Sequence, residues 1–161
     1  MAADPESFAA PAHSFRYLLR VRYGECDAQA IVFNARWGDY TDAAVTEYLR
    51  VLWHPIDGYP HGLDFRLVRQ VTEWKSPARF DDVLEARVET ARIGTTSFTI
   101  ATQWRRWRQE PLLVHVETVY VVVDPALGTK GPVPDAHRRA LEHGAPGQIV
   151  DHAGARRAGA P

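Results

Sequence analysis

Val21-Arg22-Tyr23-Gly24-Glu25-Cys26-Asp27-Ala28-Gln29-Ala30-Ile31-Val32-Phe33-Asn34-Ala35-Arg36-Trp37 is the stretch in which the hydrophobic period of the chain changes. Upstream of its centre, Phe15, Tyr17, Leu19, Val21 and Tyr23 alternate with positions that include Arg16, Arg20 and Arg22. Alternation of that kind predicts a half-buried strand from Phe15 to Glu25. Downstream, at about 100° per residue, Trp37, Tyr40, Thr41, Ala44, Val45, Tyr48, Val51 and Leu52 share one side of a helix. Asp39, Asp42, Thr46 and Arg50 take the other. The spacing predicts a long amphipathic helix from Asn34 to about Leu52, with Asn34 as its N-cap. His54-Pro55 should end it, because the residue before proline is pushed out of the helical region. Asp27 lies between the two elements, where a carboxylate can face the unpaired N–H groups that open a helix.

Four further strand-like runs follow a Pro/Gly-rich loop: Phe65 to Trp74, Val83 to Arg92, Ser97 to Trp107 and Leu112 to Val123. The last is apolar at nearly every position, which predicts cover on both faces. Gly94 and Gln109-Glu110-Pro111 supply turns for an antiparallel meander. A short helix is expected from Pro134 to Leu141. These elements predict an α+β domain in which five antiparallel strands wrap one long central helix, since only a curved sheet can bury so long an apolar stripe.

With 161 residues the chain has room for one ordinary domain, about 100 to 150 residues being typical. Its expected organisation is a flexible N-terminal segment over 1–13, a folded domain over 14–143 and a Gly/Ala/Arg/Pro-rich flexible tail over 144–161. A net charge of -1 argues against nucleic acid as partner and for a small-molecule substrate. Cys26 is the only cysteine, so no intrachain disulfide or thiolate metal cluster can form, and a reducing cytoplasm is the expected location. Met1 to His13 lacks the basic start and apolar core of a secretory signal, and no apolar run reaches the roughly 20 residues of a membrane span.

The order of elements and the segment from Val21 to Trp37 resemble the hotdog-fold thioesterases, in the 4-hydroxybenzoyl-CoA thioesterase branch with its Tol-Pal-associated relatives. The matching residues are Tyr23, the pair Glu25-Cys26, Asp27, the run Ile31-Val32-Phe33 and the helix from Asn34. Ser76-Pro77-Ala78-Arg79-Phe80-Asp81-Asp82-Val83-Leu84 resembles the family's turn into its third strand, and Val121-Val122-Val123-Asp124-Pro125 its last strand and exit. The resemblance spans roughly 15–140. Two positions depart from it: Ala30 stands where relatives usually place Gly, and Asn34 where many carry His or Tyr.

The resemblance implies hydrolysis of an acyl-CoA thioester to free acid and coenzyme A, with Asp27 as nucleophile or as general base for water. The backbone N–H of Asn34, or that of Ala35, would hold the oxyanion, a helix N-terminus being a ready site for negative charge. Phe33, Ala35, Trp37, His61 and Trp74 are the candidates for the acyl pocket. Thr95, Thr96 and Ser97 resemble a strand start that contacts the nucleotide. The family also implies a homodimer with joined sheets, or a homotetramer, without metal or redox cofactor. Alternatives are release of an acyl chain from an acyl carrier protein, which presents the same pantetheine thioester, and a non-catalytic module that binds acyl-CoA.

Other chemistry-bearing residues have plainer readings. Asp39 and Asp42 belong to a solvated helix face, and Glu47, on the flank of the stripe, is the reserve carboxylate. Cys26 reads as a small packing residue. The seven histidines show no metal-ligand spacing, and no nucleophile elbow or phosphate loop is present. Trp104-Arg105-Arg106-Trp107-Arg108 reads as a solvated hairpin tip, or as a contact for the phosphates of coenzyme A.

Overall fold

In a computed structural model, residues 14–155 are described. The chain runs through β1 (Phe15–Arg20), a 3-10 turn (Tyr23–Glu25), α1 (Arg36–Asp57), β2 (Phe65–Trp74), β3 (Val83–Ile93), β4 (Ser97–Arg106), β5 (Leu112–Asp124), β6 (Thr129–Lys130), α2 (Asp135–His143) and β7 (Ile149–Asp151). The sheet has the order β2-β5-β4-β3-β1-β7, with β6 added to β5. It curves around α1 as a hotdog fold does, although it holds seven strands rather than the five expected.

α1 buries Trp37, Tyr40, Thr41, Ala44, Val45, Tyr48, Leu49, Leu52 and Trp53, nearly the stripe read from the sequence. Against it stand the inward residues of the strands: Phe15, Tyr17, Leu19 and Val21 from the first segment, Leu84, Ala86 and Val88 from β3, and Phe98, Ile100 and Trp104 from β4. Trp104 and Thr41 are both fully buried, and the indole N–H donates to the threonine hydroxyl at 3.1 Å. Trp53 packs edge-on against Phe65, Phe98, Tyr59 and His137 at the far end.

The helix boundaries differ from those expected. α1 begins at Arg36 behind Ala35, and Asn34 makes no side-chain cap. It runs through Pro55 to Asp57 and stops at the left-handed Gly58, whose N–H bonds to the carbonyl of His54. A proline this close to the end removes one helical hydrogen bond, and burial of Trp53 beside it holds the last turn in place. The first strand stops at Arg20, because Tyr23–Glu25 turn; Tyr23 is left exposed and Glu25 points inward.

β3, β4 and β5 form the meander, but β2 crosses to pair with β5 from Phe65↔Val122 to Trp74↔Val114. With β4 on one edge and β2 on the other, β5 has its backbone groups paired on both sides. The expected tail is corrected over 144–155: Ile149–Asp151 pair in parallel with Arg16, Tyr17 and Leu18. Arg16 N–H donates to the Gln148 carbonyl and His152 N–H to that of Leu18, each at 2.9 Å. Backbone hydrogen bonds require no apolar composition, so a Gly/Ala/Arg-rich segment can still close an open sheet edge. The expected flexible segment over 1–13 and the end of the tail, 156–161, lie outside the described residues. Among the described residues no helix is long and apolar enough to cross a membrane.

The registers give the sheet two distinct ends. Arg20, Trp74, Val83, Arg106 and Leu112 lie at the end where α1 begins, while Phe65, Ser97 and Asp124 lie at the end where it finishes. Thr41→Val keeps the volume of the side chain and leaves the buried Trp104 N–H without an acceptor. It should lower unfolding free energy by about 1–3 kcal/mol in urea titrations, the cost of an unsatisfied buried donor.

Candidate active site

The Asp27 loop is built by short-range hydrogen bonds. Asp27 N–H donates to the Ile31 carbonyl and Ala30 N–H to that of Asp27, both at 2.9 Å, so 27–31 close on themselves. One carboxylate oxygen of Asp27 accepts Gln29 N–H at 2.8 Å. That bond orients the side chain and leaves the second oxygen available. Cys26 and Val32 form an isolated bridge at the base, Phe33 N–H donates to the Glu25 carbonyl at 2.9 Å, and Val32 N–H donates to Ala78 at 2.8 Å. The last bond ties the loop to the turn that enters β3.

Ala30 takes φ +58°, the left-handed conformation that favours glycine. The chain therefore follows the path that a glycine would take, with the strain of a side chain there. Alanine thus stands in a conformation that glycine adopts without cost.

Where the loop meets α1, the N–H groups of Arg36, Trp37 and Gly38 bond back to Phe33, Asn34 and Ala35. The N–H groups of Asn34 and Ala35 make no hydrogen bond among the described residues. Both stand at the positive end of a 22-residue helix. Next to them opens a cleft of about 440 Å³, lined by Asp27, Gln29, Ile31, Val32, Phe33, Asn34, Trp37, Trp74, Lys75, Ser76 and Pro77. Trp74 and Phe33 are about half exposed there, at 54% and 48%. The cleft thus joins the Asp27 carboxylate, Asn34 at the helix entry and an apolar wall.

Of the residues expected at the site, Asp27, Phe33, Asn34, Trp37 and Trp74 line this cleft, and Ala35 follows directly on the helix entry. His61, Thr95, Thr96 and Ser97 do not. His61 is exposed in the loop before β2, and Thr95–Ser97 sit at the opposite end of the sheet, the length of β4 away, or about 30 Å. Within one chain they cannot reach the same thioester. Lys75 was not singled out by the sequence, and Ser76 and Pro77 were read only as part of a turn between strands. The pairing of β2 with β5 and the Val32–Ala78 hydrogen bond together bring that corner to the Asp27 loop.

Glu47 is ion-paired with Arg50 at 3.3 Å and is absent from the cleft, and Asp39 pairs with Arg36 at 3.0 Å on the exposed face. The Trp104–Arg108 run is mostly structural, which corrects its reading as a solvated tip. Trp104 is core, and Arg106 donates to the Asp82 carboxylate at 2.9 Å and to the Pro77 carbonyl at 2.6 Å. Trp107 lies under the guanidinium groups of Arg16 and Arg108.

Beside the Asp27 loop, sequence reasoning missed a buried carboxylate. Glu25 is 8% exposed, and its carboxylate accepts from the Tyr40 phenol at 2.6 Å and from the Arg22 backbone N–H at 2.7 Å. The Arg22 guanidinium also donates to it, at 2.8 Å from Nε. Burial pushes the Glu25 carboxyl upward, but these donors outweigh it and hold the group below its ordinary value. The same burial, with Glu25 beside it, pushes the Tyr40 phenol far above its usual range. A depressed carboxylate contributes stability above its unfolded value and loses it as pH falls through the folded one. Tyr40 read only as a stripe residue, since nothing in its spacing marks a hydroxyl aimed at a loop.

Ala30→Gly should raise unfolding free energy by about 0.5–1 kcal/mol in urea titrations, by relieving the left-handed alanine.

No family model matches the chain. The acyl-CoA thioester hydrolase YbgC of Escherichia coli is 33% identical over 112 residues, which cover 69% of this chain and 83% of that protein. Among solved structures, a hypothetical protein of Aquifex aeolicus superposes with a TM-score of 0.70 at 26% identity, over 79% of this chain and 98% of its own. A 1,4-dihydroxy-2-naphthoyl-CoA thioesterase from Synechocystis gives 0.69 at 18% identity, over 80% and 95%, a likeness of fold. With the Asp27 loop set against the start of its central helix, the chain belongs to the hotdog-fold acyl-CoA thioesterases, in the branch that contains YbgC.

Proposed function

We propose that the protein hydrolyses an acyl-CoA thioester at the Asp27 cleft. The observation that supports this reading is the cleft that Asp27, with one carboxylate oxygen available, shares with Asn34 at the start of α1, where the N–H groups of Asn34 and Ala35 are unpaired among the described residues. The thioester carbonyl sits with its oxygen toward those N–H groups and its carbon toward Asp27. As general base, Asp27 takes a proton from water while the water oxygen bonds to the carbonyl carbon. The tetrahedral oxyanion collapses, the carbon–sulfur bond breaks, and the leaving thiolate receives the proton. As nucleophile, Asp27 forms a mixed anhydride and releases the thiolate first, and water then cleaves the anhydride. In either course the carbonyl oxygen gains negative charge, which donors at a helix N-terminus stabilise by about 3–4 kcal/mol. Thiolate is a good leaving group, so no dedicated general acid is needed. Phe33, Trp37 and Trp74 supply the apolar wall for the acyl group.

The working unit in this reading is a dimer or a tetramer. β2 is the outermost strand, ten residues long, and it leaves Leu67, Val68, Val71 and Trp74 exposed at 48%, 58%, 39% and 54%. A long apolar free edge is a template for pairing with another strand. Trp74 ends that strand inside the cleft, so a second copy seated along β2 would border the substrate. Thr95, Thr96 and Ser97 of one chain would then contact coenzyme A only on the site of its neighbour.

Free-thiol release from short-chain, long-chain and aromatic acyl-CoAs, and from the same acyl groups on acyl carrier protein, tests the reaction. Asp27→Asn should lower kcat by about 10³-fold or more with KM changed only a few-fold, as when a reacting group is lost. Full activity in that variant ends the proposal, and acyl-CoA binding by the wild type without turnover favours a binding module. In sedimentation, Val68→Lys with Val71→Lys should convert a multimer to single chains.

A further inference from the structure

Behind the Asp27 loop lies a second cavity, of about 510 Å³, that shares no lining residue with the cleft. Tyr17, Arg22, Glu25, Tyr40 and His152 border it. The start of α1 separates the two, with Trp37 on the cleft side and Arg36, Asp39 and Tyr40 on the other. Glu25, at the foot of the Asp27 loop, borders this second cavity and is held there by hydrogen bonds.

Those bonds converge on one carboxylate. Glu25 Oε2 accepts from the Tyr40 hydroxyl at 2.6 Å and from the Arg22 backbone N–H at 2.7 Å, while Oε1 faces the Arg22 guanidinium at 2.6 Å from Nη2. The carbonyl of the same residue accepts Phe33 N–H at the other foot of the loop. One residue thus joins both feet of the Asp27 loop to the second turn of the helix. The Tyr40 ring is itself fixed between Trp37 and Trp104, at centroid distances of 5.7 and 6.0 Å. Trp104 is anchored in turn to Thr41. The chain of contacts runs from the core through Tyr40 and Glu25 to the loop.

We propose that Glu25 and Tyr40 are positioning residues of the thioesterase site: their hydrogen bond sets the Asp27 carboxylate relative to the Asn34 and Ala35 N–H groups. The proposal rests on the reading of Asp27 given above. Neither residue lines the cleft, so neither touches the thioester. Their effect is geometric, and a misplacement of about 1 Å in such a site costs on the order of 10²-fold in rate.

Tyr40→Phe is the sharpest variant, because it keeps the ring and its aromatic contacts and removes only the donor. On the best acyl-CoA of the panel, kcat should fall about 10-fold or more with KM within about twofold, the signature of lost transition-state alignment. Glu25→Ala should cost more, and adding Tyr40→Phe to it should cost nothing further, because residues acting through one bond are non-additive. Amide hydrogen exchange supplies a readout independent of catalysis: Asp27 and Phe33 N–H should exchange about 10-fold faster in Tyr40→Phe, while Ile100 in the central sheet stays unchanged. Unchanged kcat in Tyr40→Phe, unchanged exchange at the loop, or additive losses in the double variant overturn the proposal. Faster loop exchange together with a fully active Asp27→Asn shows instead that the clamp holds the loop but the Asp27 reading has failed.

Discussion

A 22-residue helix with a stripe of tryptophan, tyrosine and aliphatic side chains cannot stay in water, and the whole molecule follows from where that stripe is buried. The curved sheet accepts it on its inner face, with Trp53 and Trp104 at opposite ends of the contact. Several polar atoms drawn into that core bring partners: the indole of Trp104 meets Thr41 at 3.1 Å and the phenol of Tyr48 meets Thr90 at 2.9 Å. Once the helix axis is set, its first free N–H groups are set too.

The site is a consequence of that placement. A helix start needs anionic or polar company for its unpaired donors, and the loop from Asp27 to Ile31 presents a carboxylate beside them. The loop is strained at Ala30 and tied at both feet through Glu25. Strain and rigid anchoring together suit a site in which one carboxylate orientation must persist without a substrate to hold it. The apolar wall of the cleft comes from residues distant in sequence, Phe33 and Trp37 on one side and Trp74 on the other.

Much of this was legible beforehand. β2, β3, β4 and β5 were readable to within a residue because apolar or alternating runs bounded by turn residues mark them, and the helical stripe because its period is unambiguous. Cap positions were not: Asn34 has the right chemistry for an N-cap, but the Arg36 and Trp37 N–H groups that its side chain would accept from are already bonded to the carbonyls of Phe33 and Asn34. Pro55 was read as a stop, although one missing hydrogen bond near a helix end is tolerated when a buried tryptophan pins the turn. β7 was invisible because edge pairing is a backbone interaction.

By itself the amino-acid order determined the element types, the inward face of the helix and of most strands, and Asp27 as the carboxylate ahead of a helix. Those properties reside in local period and in residue chemistry. Tertiary structure alone decided that β2 crosses to β5, that Trp74 and Ser76 line one cleft with Asp27, that Thr95–Ser97 stand at the far end of the sheet, and that Glu25 is locked by Tyr40. Each of these joins groups whose separation along the chain carries no signal of contact, since only burial of the shared core brings them together.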